Sequence, residues 1–347
     1  MEQFYTAPPQ SVPPQPVSVP VKPDKEERRR IRKKYNIAAA VLLVNIIIFN
    51  GLAVGSALFK DSPVWNSEFF STAFSCCVPI ISEITAIIIG IKVIGIDFKP
   101  LITRNGFNGG TVLKLMTLAL GLQTAASILA SLIGAMLKAF GLEPRPVDLS
   151  ATESLPANLL MYFYACLLGP VLEELLYRGV LLQSMRKYNE RFAVFLSAAI
   201  FGLMHQNYQQ FILGFLIGIP LAVVTIKSGS IIPAIFTHIV VNTSGMFFNC
   251  WIQYSDPDFF QAALEGAEET MAMTDFSAAF VCTLLFRIAI MLAALVVGIV
   301  VLVKGGNMTR PTPAGKARTM PVFATAAAWW VVFLVYAFLN FVLPFLV

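Results

Sequence analysis

The chain has 347 residues, 57% of them hydrophobic and only 13% charged, with a mean hydropathy of +0.73. A soluble domain cannot hide that much apolar side chain, so the sequence is that of an all-α polytopic membrane bundle. The net charge of +5 is unevenly placed, with much of the basic excess in KEERRRIRKK (25–34) and KGGNMTRPTPAGKAR (304–318). Both read as cytoplasmic flanks drawn to acidic lipid, and nothing suggests nucleic acid as a partner.

Residues 1–23 hold seven prolines and no apolar periodicity, which predicts a disordered, partly polyproline tail open to a partner protein. With the basic stretch it forms a cytoplasmic region over 1–34. The first apolar run begins near Ile37, behind a long polar segment, so it reads as a retained signal anchor rather than a cleaved signal.

Segments long enough to span, at roughly 20 residues each, lie near 37–59, 69–95, 112–137, 157–182, 192–208, 210–226, 231–251, 276–303 and 322–347. They group into N-terminal transmembrane helices (35–137), a core (155–251) and C-terminal transmembrane helices (276–347). About nine spans with the N-terminus inside put Lys99, Arg104, Arg186, Lys187, Arg191, Lys227 and the 304–318 loop on one side, while 252–275 is acidic. The expected location is the bacterial plasma membrane, with the lipid bilayer as an obligatory partner. Five cysteines lack CxxC spacing and read as small core residues. There is no convincing internal repeat, against an inverted-repeat transporter.

Ionisable side chains within spans are costly enough to be functional candidates. Here they are Glu83, Glu173, Glu174, Arg178, His205, His238 and Arg287, with Asn242 as a polar companion; the chain's only two histidines are both included. In GPVLEELLYRG (169–179), Glu174 and Arg178 are four apart and face each other as a supporting pair, leaving Glu173 the unpaired carboxylate. Pro170 removes a backbone bond to Cys166, so the helix is expected to kink or open one turn before the carboxylates. Phe201 and His205 share a face, as do His238 and Asn242; Gly214 and Gly218 have small-xxx-small spacing, read as packing. Glu83 and Arg287, near mid-membrane, are expected to pair.

Peptide hydrolysis needs an activated water, a proton donor for the leaving amine and donors for the oxyanion. Glu173 with His205 suits the first task, and His238 with Asn242 suits the last. Glu173, His205 and His238 could instead ligate Zn2+, although there is no HExxH, nor a GxSxG for a serine nucleophile.

The ordered motifs EExxxR (Glu173, Glu174, Arg178), FxxxH (Phe201 to His205) and HxxxN (His238 to Asn242), with YRG after the glutamates and SGSIIPAIFTHIVVN around the third, resemble the CPBP intramembrane proteases. That family includes the CAAX prenyl proteases and bacterial proteins linked to bacteriocin processing or self-immunity. The resemblance covers roughly the fourth to seventh spans and implies a CAAX-protease-like core. It further implies Glu173 and His205 as the water-activating pair, His238 and Asn242 as the oxyanion hole, and a membrane-associated peptide or protein as substrate. Members have been described both as metalloproteases and as metal-free glutamate enzymes; a neutral imidazole and an asparagine on one face favour no cofactor. The rival functions are a proton- or cation-coupled transporter and a non-catalytic membrane immunity or scaffold protein.

Overall fold

The computed structural model describes residues 24–59, 61–103, 108–142, 152–257, 278–304 and 324–341. The proline-rich tail, most of the acidic 252–275 loop and most of the basic 304–318 loop lie outside them. Among the described residues there is no strand, and nine principal helices fall on the nine apolar segments. They are α1 (Lys25–Ala57), α2 (Glu68–Gly90), α3 (Gly109–Ala139), α4 (Leu155–Arg186), α5 (Glu190–Leu203), α6 (Tyr208–Ser228), α7 (Ile232–Ser255), α8 (Ala278–Lys304) and α9 (Ala327–Phe341). The chain is an all-α polytopic membrane protein.

Six of these are long and apolar enough to cross a bilayer: α1, α2 with its continuation to Gly95, α3, α4, α6 and the Val281–Val300 part of α8. The expected count of nine is therefore an upper reading. Helix α5, at 14 residues, reaches only about 21 Å at ~1.5 Å per residue, short of a ~30 Å hydrocarbon core. Helix α9 has 15 residues. Helix α7 is long enough, but spends Thr237, His238, Asn242, Thr243, Ser244 and Asn249 on polar positions. The basic residues 25–34, expected as tail, are the opening turns of α1. Asp24 caps them by accepting the Glu27 N–H at 2.7 Å, and Ile31 and Tyr35 are already buried.

Three glycines draw α5 and α6 together. A Cβ at Gly202 would lie 2.6 Å from the Phe211 carbonyl oxygen, one at Gly214 would lie 2.9 Å from Gly202 Cα, and one at Gly218 would lie 2.9 Å from Ala198 Cα. Without a hydrophobic driving force inside lipid, such close backbone contact is what holds helices together. On the other flank α8 packs against α3, which also meets α6. Helix α9 closes the bundle over α1, α5 and α6. Its Trp329 and Tyr336 are buried in the same core as Tyr35, Leu118, Tyr177, Leu181 and Phe201.

Gly202→Val is expected to destabilise the fold by roughly 1–3 kcal/mol, because backbone rather than a flexible side chain blocks the new atoms. Gly51→Val, where nothing lies within 4 Å of the new Cβ, is the control. Thermal unfolding in detergent would separate them; equal melting temperatures would refute the packing argument.

Candidate active site

The site begins with a backbone defect in α4. Its helix widens twice, over Tyr164–Leu168 and Leu175–Leu181, on either side of the glutamates. In the first widened turn the Gly169 N–H bonds to the Tyr164 carbonyl, five residues back. The Ala165 carbonyl thereby loses its ordinary helical donor. In the widened pattern residue 170 would replace it, but proline has no N–H. The orphaned oxygen is satisfied from another helix: Asn242 Nδ2 donates to Ala165 O at 3.0 Å. Pro170 thus opens α4 as its sequence position predicts, and the opening recruits α7.

Between the two widened turns, Glu173 is nearly buried and Glu174 wholly so. Arg178 Nη1 donates to Glu174 Oε1 at 2.9 Å, and the same oxygen accepts from His238 Nδ1 at 3.0 Å. The supporting pair is therefore a triad. Arg178, with no solvent exposure, also donates through Nη2 to the Gly218 carbonyl at 3.2 Å and lies 4.3 Å over the Phe201 ring. Phe201 makes edge contacts at 5.4 Å with both His205 and His238.

These contacts determine which ring nitrogens are available. A carbonyl or carboxylate only accepts, so His205 Nδ1, 3.0 Å from Phe201 O, and His238 Nδ1 on Glu174 both carry hydrogen. Each histidine consequently keeps Nε2 for other work. For His238 that nitrogen lies 3.5 Å from Glu173 Oε2. His205 does not continue α5; it stands in a tight elbow after Leu203. Gln206 is held there at φ 57°, Asn207 Nδ2 donates to His205 O at 2.8 Å, and Asn340 of α9 donates to Leu203 O at 2.7 Å. A non-glycine residue at positive φ marks stored strain, common at functional sites.

His205, His238 and Asn242 line one cavity of about 560 Å³. Glu173 adjoins it through His238, while Glu174 and Arg178 stand behind that ring. Among the described residues, no three His, Cys, Asp or Glu side chains come together as a metal cage. Glu83 and Arg287 do not pair: both Glu83 oxygens lack a hydrogen-bond partner among the described residues, and Arg287 stacks 3.2 Å from the Phe248 ring. Sequence reasoning missed three participants. Phe201 touches Arg178 and both histidines, the Ala165 carbonyl anchors Asn242, and Gln123 bonds Val241 O at 3.2 Å and Ser244 at 3.0 Å. The FxxxH spacing was a signal for the first only.

Asn242→Ala should destabilise the protein by ~1–3 kcal/mol by stranding the Ala165 carbonyl. Pro170→Ala restores an N–H in α4 and should recover part of that loss. A double-mutant cycle on melting temperature tests this; strictly additive effects would separate the asparagine from the helix defect.

Residues 155–244 match the family described as type II CAAX prenyl endopeptidase Rce1-like. Over 85 residues the chain is 31% identical to the Bacillus subtilis (strain 168) protein named "Putative membrane peptidase YdiL", covering 24% of this chain and 35% of that one. It is 28% identical over 112 residues to an uncharacterized 24.3 kDa protein of Escherichia coli, covering 30% of this chain and 52% of that one. The chain thus spans about half or less of the relatives' length. No solved structure matches it. The matched stretch, residues 155–244, contains all three motifs and the helices that bring their side chains together, so the similarity to the type II CAAX prenyl endopeptidase Rce1-like family falls on the site itself.

Proposed function

We propose that the protein is an intramembrane endopeptidase that hydrolyses peptide bonds of membrane-associated proteins or peptides, seated in a bacterial plasma membrane with its N-terminus cytoplasmic. The observation that carries this reading is the cavity onto which His205, His238 and Asn242 open, with Glu173 Oε2 3.5 Å from His238 Nε2. The bacterial relatives and the basic opening turns of α1 support the location.

The chemistry follows from the free positions. A water beside Glu173 is activated by that carboxylate together with His205 Nε2, its oxygen attacking the peptide carbonyl carbon while its proton passes to the base. The developing oxyanion accepts from the second N–H of Asn242, whose first is held by Ala165 O, and from Nε2–H of His238, which for this task is the imidazolium, its Nδ1–H on Glu174. Collapse breaks the C–N bond, and the stored proton goes to the leaving amine. Glu174 and Arg178 take no proton; they hold the His238 ring. All of this proceeds without a metal.

In the purified protein, Glu173→Gln and His205→Ala should each lower cleavage of a membrane-partitioning peptide by about 10²–10⁴-fold while leaving the melting temperature close to that of the parent. Proteolysis retained by Glu173→Gln would overturn the mechanism. Chelators should leave activity unchanged; loss on chelation that Zn2+ restores would sink the metal-free account.

A further inference from the structure

The far wall of the cavity is built by helices outside residues 155–244. Helix α3 contributes Gln123, Thr124 and Ser127, and α8 contributes Arg287. Arg287 stands within the apolar stretch Val281–Val300, where a guanidinium is expensive. Its one contact with an aromatic ring is the Phe248 face, 3.2 Å away. Among the described residues it has no carboxylate or hydrogen-bond partner. A structural arginine in such a place would be paired, as Arg178 is with Glu174. Instead Arg287 offers an unfilled fork of N–H donors to the space that the motif histidines also face.

We propose that Arg287 is the anion-binding subsite of this cavity and receives the C-terminal carboxylate of the bound peptide. The assignment of the anion rests on the peptidase reading. The planar guanidinium matches a carboxylate with two parallel hydrogen bonds, and stacking on Phe248 holds its plane in advance. The antiparallel register sets the reach. Gly121 opposes Leu295 and Gly298 opposes Leu118, which places Arg287 level with about position 129 of α3. Asn242 is near the level of Gln123, which bonds the Val241 carbonyl. Six residues of helix rise amount to roughly 9 Å, or two to three residues of extended chain at ~3.3–3.6 Å each. A peptide anchored by its carboxylate on Arg287 therefore presents a bond close to its C-terminus to the histidines.

The test uses the full chain carrying Glu173→Gln, so that nothing is cleaved. It is placed in nanodiscs of phosphatidylcholine, and binding is measured for fluorescent leucine–alanine peptides that differ only in a free carboxylate or a carboxamide at the C-terminus. The acid should bind at least about tenfold more tightly than the amide. That ratio should fall to about one with Arg287→Gln added and survive in part with Arg287→Lys. Equal binding of acid and amide overturns the proposal without any variant of Arg287, so a misfolded substitution does not protect it. A preference that survives Arg287→Gln also overturns it. So does a preference abolished by replacing phosphatidylcholine with phosphatidylglycerol, since the arginine would then serve a lipid phosphate. If the acid preference holds while the unmutated chain cleaves neither peptide, the peptidase reading fails and the anion subsite stands.

Discussion

Glu174 Oε1 accepts two hydrogen bonds, from Arg178 and from His238, and almost everything else in the site is arranged around that shared oxygen. Inside a bundle this apolar an unpartnered charge is costly, and Glu174 and Arg178, both without solvent exposure, offset that cost for each other in one fixed geometry. Because the third member is a histidine, the ion pair also dictates where that ring points. Arg178 extends the constraint to α6 through the Gly218 carbonyl and to α5 through the Phe201 ring. The glycines that bring α5 and α6 into contact are therefore part of the same device. At Gly218 an added Cβ would lie 3.3 Å from Arg178 Nη2, so bulk there would press on the pair as well as on Ala198.

A second device works through the backbone. Pro170 opens α4, and the opened carbonyl needs a donor that lipid cannot supply. Asn242 supplies it and is fixed thereby beside His238, one turn away on α7. One N–H of the amide is consumed and the other remains. The arrangement has an economy that a straight helix would lack: a single residue both repairs the defect and offers a donor into the cavity.

Much of this was legible in the sequence, for identifiable reasons. All nine helices follow from apolar run length, and the Glu174–Arg178 contact follows from i, i+4 spacing alone. The consequence of Pro170 follows from its missing N–H. What the sequence conceals is long-range. Nothing in EExxxR says that the second glutamate also holds a histidine 64 residues later, because the contact depends on how α4 and α7 cross. The expected Glu83–Arg287 pair failed for the same reason. Equal depth by residue count does not make two helices neighbours, and α8 packs on α3 while α2 packs on α1 and α4. Nine apolar runs yield six helices long and apolar enough to cross among the described residues, since an apolar run can be a helix without being long enough to cross.

The boundary of the family match has a physical counterpart. Inside residues 155–244 lie the groups whose positions are locked by buried charge and by a repaired backbone. Outside lies the wall that α3 and α8 contribute, made of the Gln123 amide, the Thr124 and Ser127 hydroxyls, the stacked Arg287 and apolar side chains such as Ile128 and Met291. The locked half admits few substitutions, since each removes a partner from something buried. The opposite wall carries no such interlock, and its side chains can change without stranding a charge on α4. A bundle divided in this way can keep one reaction and alter what it accepts, with selectivity set by helices that the family resemblance does not reach.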